Sequence, residues 1–189
     1  RTALSEEEIN SVLEPLRSGW LVQGPKVKEF ENSWSLFTGV QRSLAVTSCT
    51  AGMELALAAL GLKSGDEVIL PAFTWVSTAN VVEHLGAKPV FCDIKLETFN
   101  IDVDRIEELI TDKTVGIMPV HLFGLAADMD PILAIAKKHH LWTVEDAACG
   151  FGAKYKGTHV GLMGDAGVFS FHPRKAITTG EGGMIVTNS

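Results

Sequence analysis

Apolar residues follow two rhythms along this chain: a helical spacing near the start, then short continuous runs separated by further helical stretches. Ser5 followed by Glu8 is a capping-box signature, and it predicts a helix ending near Gly19. Pro25 suits a first helical turn, after which Val27, Phe30, Trp34 and Phe37 recur at helical spacing until Gly39. Strands are then predicted at 44–46, 67–70 (ended by Pro71), 89–92, 115–120, 142–144, 168–171 and 184–186. Helices are predicted between them at 52–60, stopped by Gly61, at 74–85, closed by Gly86, and at 102–110 and 130–140. Strands alternating with helices, several continuously apolar and so buried on both faces, indicate an α/β fold. Its expected form is three-layer, a mainly parallel sheet flanked by helices.

Composition narrows the class without choosing a function. The chain has 189 residues, 46% of them hydrophobic and 21% charged, which suffices for one sizeable core. Its net charge is −7 and the basic residues are scattered, so no nucleic-acid surface is expected. The apolar stretch 45–62 is interrupted by Thr47, Ser48, Thr50 and Glu54 and does not read as a membrane span. The first eight residues lack the apolar core of a signal peptide. Three widely spaced cysteines, Cys49, Cys92 and Cys149, suggest reduced thiols in a cytoplasmic protein.

In sheets of this kind chemistry gathers at the carboxyl ends of the strands. Four such ends carry candidate residues. Thr47-Ser48-Cys49-Thr50-Ala51-Gly52 joins a strand to a helix. It is either an anion cradle at a helix N-terminus or a tight turn capped by Ser48 or Thr50. Trp75, at the start of a helix, either lies flat on a planar heterocycle or packs in the core. Glu145 and Asp146 end an apolar strand, where a carboxylate costs desolvation unless it meets a cation, although Asp146 could equally cap a turn. Lys175 follows Phe169-Ser170-Phe171-His172-Pro173-Arg174 and precedes a glycine-rich turn, a setting in which a lysine can lose its proton and attack a carbonyl rather than sit as a solvated charge. An anion cradle, an aromatic plate, a buried acid and a nucleophilic lysine together match a phosphorylated, planar, cationic aldehyde, pyridoxal 5'-phosphate. No GxGxxG or P-loop pattern is present, and His84, His139, His140 and His159 lack metal-ligand spacing.

The runs 71–80, Val120-His121-Leu122-Phe123-Gly124, Glu145-Asp146-Ala147-Ala148, 170–175 and 178–183 resemble the DegT/DnrJ/EryC1/StrS sugar aminotransferases, and the similarity extends over nearly the whole chain. The resemblance implies the large domain of the aspartate-aminotransferase fold (fold type I), with residues 1–189 forming the cofactor-binding part and a smaller C-terminal domain absent. It also implies Lys175 as the Schiff-base lysine, Asp146 paired with the pyridinium nitrogen, and Trp75 stacked on the ring. Ser48, Cys49, Thr50, the amide of Ala51, Ser170 and His172 would complete the cofactor site. Cys149 stands where relatives often carry Gln or His, and it is a poor donor to the cofactor's phenolic oxygen. His121 and His172 would line the site or pack beside it, and Arg174 would reach a phosphate in a neighbouring subunit of a homodimer. The implied reaction moves an amino group from glutamate or glutamine to a nucleotide-linked keto-sugar. Elimination or dehydration on the same cofactor is the alternative, with a non-catalytic relative as a third. A dehydrating branch of the family carries His in place of the lysine, so Lys175 favours transfer.

Overall fold

The computed structural model describes residues 3–189; Arg1 and Thr2, which open the stretch read for a signal peptide, lie outside it. The capping box forms as expected: Glu8 N–H donates to Ser5 Oγ, and Ser5 N–H to the Glu8 carboxylate. The first helix is broken at Val12 into α1 (Glu6–Ser11) and α2 (Leu13–Ser18), and Gly19 ends it in the left-handed conformation at φ 73°. α3 (Pro25–Thr38) starts on its proline and stops at Gly39, φ 82°.

The rest alternates as the pattern predicts: β1 (Arg42–Val46), α4 (Cys49–Ala59), β2 (Glu67–Pro71), α5 (Ser77–His84) and β3 (Lys88–Cys92). β4 (Thr114–Ile117), α6 (Met129–His139) and β5 (Trp142–Asp146) follow. A two-stranded hairpin of β6 (Lys154–Tyr155) and β7 (Thr158–His159) precedes β8 (Ala166–Ser170) and β9 (Gly183–Thr187). The expected helix at 102–110 does not form. The chain makes two 3-10 turns there, Val103–Arg105 and Glu107–Leu109. An isolated bridge between Ile94 and Ile101 fixes one end of this span. At the other, Ile110 is extended and Thr111 N–H donates to Thr114 Oγ1, turning the chain into β4. That leaves room for tight turns and not for a regular helix. The strand expected to reach Val120 stops at Ile117, two residues before Pro119, which has no N–H for a ladder.

The seven-stranded sheet has the order β1-β9-β8-β5-β4-β2-β3, with β9 antiparallel to both neighbours and the other pairs parallel. Its two faces carry separate cores. Met53 and Leu57 of α4 and Val81 and Val82 of α5 pack on Val68, Leu70, Val144 and Val168. On the other face Ile132 and Ala136 of α6 meet Ile69 and Ile117, and Trp34 of α3 packs on Phe169, Phe171 and Met184. Side chains from both faces are wholly buried, as expected of a three-layer sandwich.

Candidate active site

Strand parity decides which functional side chains meet, because successive residues of a strand point to opposite faces. Val144 belongs to the α4–α5 core, so Asp146 projects on that side and Glu145 on the other. On β8, Val168 takes the α4–α5 side and Ser170 follows it, while Phe169 and Phe171 enter the Trp34 cluster. At this carboxyl edge lies a cavity of about 370 Å³. Ser48, Cys49, Thr50, Trp75, Asp146, Ser170, His172 and Lys175 all line it, with Ser77, Ala148, Arg174 and Glu181. Residues from four separate loops therefore converge on one space.

Ser48 is the N-cap of α4, and its Oγ accepts the Ala51 N–H at 3.1 Å. That bond takes the Ala51 amide, which was expected to meet an anion; Ala51 is absent from the lining. The amides of Cys49 and Thr50, the first two residues of α4, have no intrahelical acceptor, and the helix dipole favours an anion there. Two glycines here make room for the protein's own packing, Gly52 for side chains of the sheet and Gly183 for backbone. A Cβ on Gly52 would sit 2.6 Å from Val168 Cγ1, and one on Gly183 would sit 2.6 Å from the Ser48 carbonyl carbon and 2.7 Å from the Cys49 nitrogen. Their lack of a side chain lets α4 begin directly over the sheet edge.

Asp146 is buried, with Oδ2 accepting from Thr78 Oγ1 at 2.8 Å and Oδ1 from Ala148 N–H at 3.0 Å. Burial pushes its carboxyl above the ordinary 3.8, outweighing the opposing effects of Thr78, Ala148, His121 and Lys175. Two hydrogen bonds to a charged group, worth about 1.5–3 kcal/mol each, do not offset the lost hydration.

Lys175 is half-buried, and its Nζ donates to Cys149 Sγ at 3.1 Å. Its loop is closed at the neck: Phe171 N–H donates to Gly182 O, while Thr179 N–H and Thr178 Oγ1 both donate to Phe171 O. Gly180 takes φ +86°, which only glycine adopts without strain. His172 Nδ1 accepts the Arg174 N–H, so the ring proton sits on Nε2, 3.7 Å from Glu181 Oε1. Trp75 stands at the cavity wall and is 74% exposed, so its face is free of core packing.

His121 departs from the first of its two expected places. It is wholly buried, does not line the cavity, and sits with Glu145. Nδ1 accepts the Ala127 N–H, so Nε2–H donates to Glu145 Oε2 at 2.8 Å. Glu145 also accepts the backbone N–H groups of Gly161, Met163 and Gly164. This knot anchors β5 from behind. Thr78, Ser77, Ala148 and Glu181 were missed as site residues. Thr74 and Thr78 stand four residues apart in a stretch expected to be helical, which was a legible hint; the role of an alanine's backbone amide was not.

The strand order, with one antiparallel strand beside the loop that bears Lys175, defines a fold-type-I α/β domain with its site at the carboxyl edge. The chain belongs to the DegT/DnrJ/EryC1/StrS aminotransferase family, whose model matches residues 2–189. It is 48% identical over 185 residues to the spore coat polysaccharide biosynthesis protein SpsC of Bacillus subtilis, covering 98% of this chain and 48% of that one. The putative sugar aminotransferase Spr1654 of Streptococcus pneumoniae, solved in PLP and PMP forms, superposes with a TM-score of 0.95 at 38% identity, over 99% of this chain and 52% and 51% of its own, respectively. DesI, solved in the presence of its TDP-sugar product, gives a TM-score of 0.90 at 36% identity, over 96% of this chain and 46% of its own. The chain thus spans about half the length of the curated relatives it matches.

Proposed function

We propose that the protein is a pyridoxal-phosphate-dependent aminotransferase that moves an amino group from glutamate or glutamine to a nucleotide-linked keto-sugar. The observation that carries this reading is the convergence of Lys175 and the buried Asp146 on one cavity, beside the N-terminus of α4. The residues fit the cofactor: a carboxylate disfavoured by burial faces space that a cationic ring nitrogen can enter, and a helix N-terminus offers free amides for a phosphate. When bound, pyridoxal phosphate supplies an electrophilic carbonyl carbon and a ring that accepts electrons.

The chain's own groups then have distinct tasks. Nζ of Lys175, delivered to the cavity by its pinned loop, is the amine that would meet the cofactor's carbonyl and would serve as the proton carrier beside it. Asp146 would hold positive charge at the ring nitrogen, and Trp75 would cover a ring face. Ser48, Thr50 and Ser170, with the amides of Cys49 and Thr50, would hold the phosphate. His172 and Arg174 border the mouth, where Arg174 adds positive charge in this subunit's own cavity rather than only in a neighbour's.

The names SpsC and DesI support a sugar acceptor, and the TDP-sugar product of DesI supports a nucleotide link. A homodimer accords with the exposed ring cluster of Phe73, Phe99 and Phe123. Residues 1–189 constitute the large domain in this reading, with a smaller domain beyond them. Free thiols at Cys49, Cys92 and Cys149 accord with a cytoplasmic setting, and among the described residues no helix is long and apolar enough to cross a membrane.

Borohydride reduction of the purified full-length protein with pyridoxal phosphate, followed by peptide mapping, tests the reading. Label on Lys175 and conversion of the chromophore by glutamate or glutamine are expected. Label elsewhere removes the role of Lys175, and a chromophore inert to every amino donor points to elimination or dehydration instead.

A further inference from the structure

Thr78 stands apart from the residues that face the cavity. It is wholly buried in the first turn of α5, and its hydroxyl is the only side-chain donor to Asp146 among the described residues. Thr74 Oγ1 lies 2.9 Å from Thr78 Oγ1. The direction of this chain follows from proton count. An ionised carboxylate only accepts, so the single hydroxyl proton of Thr78 goes to Asp146 Oδ2. Thr78 Oγ1 is then the acceptor in its contact with Thr74, whose proton points inward. Two hydroxyls thus form a directed relay ending on the carboxylate, and Trp75 lies between them in sequence.

We propose that Thr78 is a positioning residue: backed by Thr74, it fixes the orientation of the Asp146 carboxylate and ties it to the segment that carries the aromatic plate. The inference rests on the cofactor reading above for its consequence, though not for its geometry. Oδ1 is held by the Ala148 amide two residues along, a bond local to the turn. Oδ2 is held across 68 residues of sequence, so Thr78 links the β5 end to α5. The other titratable groups around Asp146 come from three further elements: Cys49 at the start of α4, His121 beyond β4, and Lys175 in the loop after β8. None donates a hydrogen bond to the carboxylate. Removing the Thr78 hydroxyl leaves Oδ2 with no donor in a site that already disfavours its charge.

The test uses Thr78→Val, which preserves shape, Thr78→Ser, which preserves the hydroxyl, and Thr74→Val, which removes only the backing link. In the full-length, cofactor-free protein, carbon-detected NMR of labelled aspartate reports the Asp146 titration. Thr78→Val is expected to move it to higher pH, Thr74→Val to move it less in the same direction, and Thr78→Ser to restore it. With pyridoxal phosphate added, Thr78→Val is expected to weaken cofactor binding about ten-fold or more, as loss of a hydrogen bond to a charged group implies. It should also shift the pH dependence of the cofactor's absorbance. An Asp146 titration unchanged in both valine variants overturns the proposal. A titration that moves as expected, in a protein that binds no cofactor, upholds the positioning role and refutes the cofactor reading instead. Should Thr78→Val fail to fold, the Thr74→Val titration decides.

Discussion

Lys175 and Cys149 touch across 3.1 Å, Nζ donating to Sγ; Lys175 lines the cavity that holds Asp146, whereas Cys149, expected in the cofactor site, stands outside its lining. The lysine therefore meets a soft, exposed sulfur. The other two thiols differ sharply. Cys49 is pushed well up by burial and by Asp146, and Cys92 is pushed up to about 12 by burial and then by Asp102.

Alkylation should consequently be selective. Brief treatment of the cofactor-free protein with iodoacetamide near pH 8 is expected to modify Cys149 and leave Cys49 and Cys92 intact, since the thiolate is the reactive form and only Cys149 is exposed. Peptide mass spectrometry reads the outcome, and bound pyridoxal phosphate should slow the reaction.

Asp146 and Glu145 are adjacent buried acids with opposite expected responses to amide substitution. Asp146 has a folded-state value above the ordinary 3.8, so the native state holds more protons than the unfolded one between the two values. Stability from this group is full below 3.8 and is lost as pH rises through the raised value. Asp146→Asn removes that loss. An asparagine can keep the Ala148 bond and donate to Thr78, so the cofactor-free protein should gain about 0.5–1 kcal/mol at neutral pH by urea denaturation. Cofactor binding should weaken in the same variant, because its neutral amide no longer balances a cationic ring.

Glu145→Gln should do the reverse. Both glutamate oxygens face donors, three backbone N–H groups and His121 Nε2–H. A glutamine NH2 would confront two of these and leave them unmatched, at a cost of at least about 2 kcal/mol. Thermal and urea melts measure the loss.

Gly183→Ala should damage the anion end of the site from a distance. The added methyl would overlap the backbone of Ser48 and Cys49 and the Phe169 carbonyl at 2.9 Å, none of which can rotate away. Displacing the α4 N-terminus is expected to cost about 1–3 kcal/mol of stability and to weaken phosphate binding together with it. Denaturation curves and calorimetric titration with pyridoxal phosphate should move in the same variant.

Local order was legible in the residues themselves. The capping box at Ser5, proline at the start of α3, glycine after the helices and the apolar strand runs state short-range preferences that need no partner, and they located most elements. They failed at 102–110, where anchoring at both ends overrode a helical pattern. The chemistry-bearing types were visible too: Lys175, Asp146, Trp75 and Ser48 stand at strand ends, and in such sheets strand ends share one edge. What packing alone decided is how those ends are joined. The antiparallel course of β9, the burial of His121 behind β5, the use of Ala51 as a cap donor and the grip of Thr78 on Asp146 all depend on segments far apart in the chain. A residue's own preferences carry no information about which distant partner its last lone pair or proton will meet; that is settled only when the two faces of the sheet are filled.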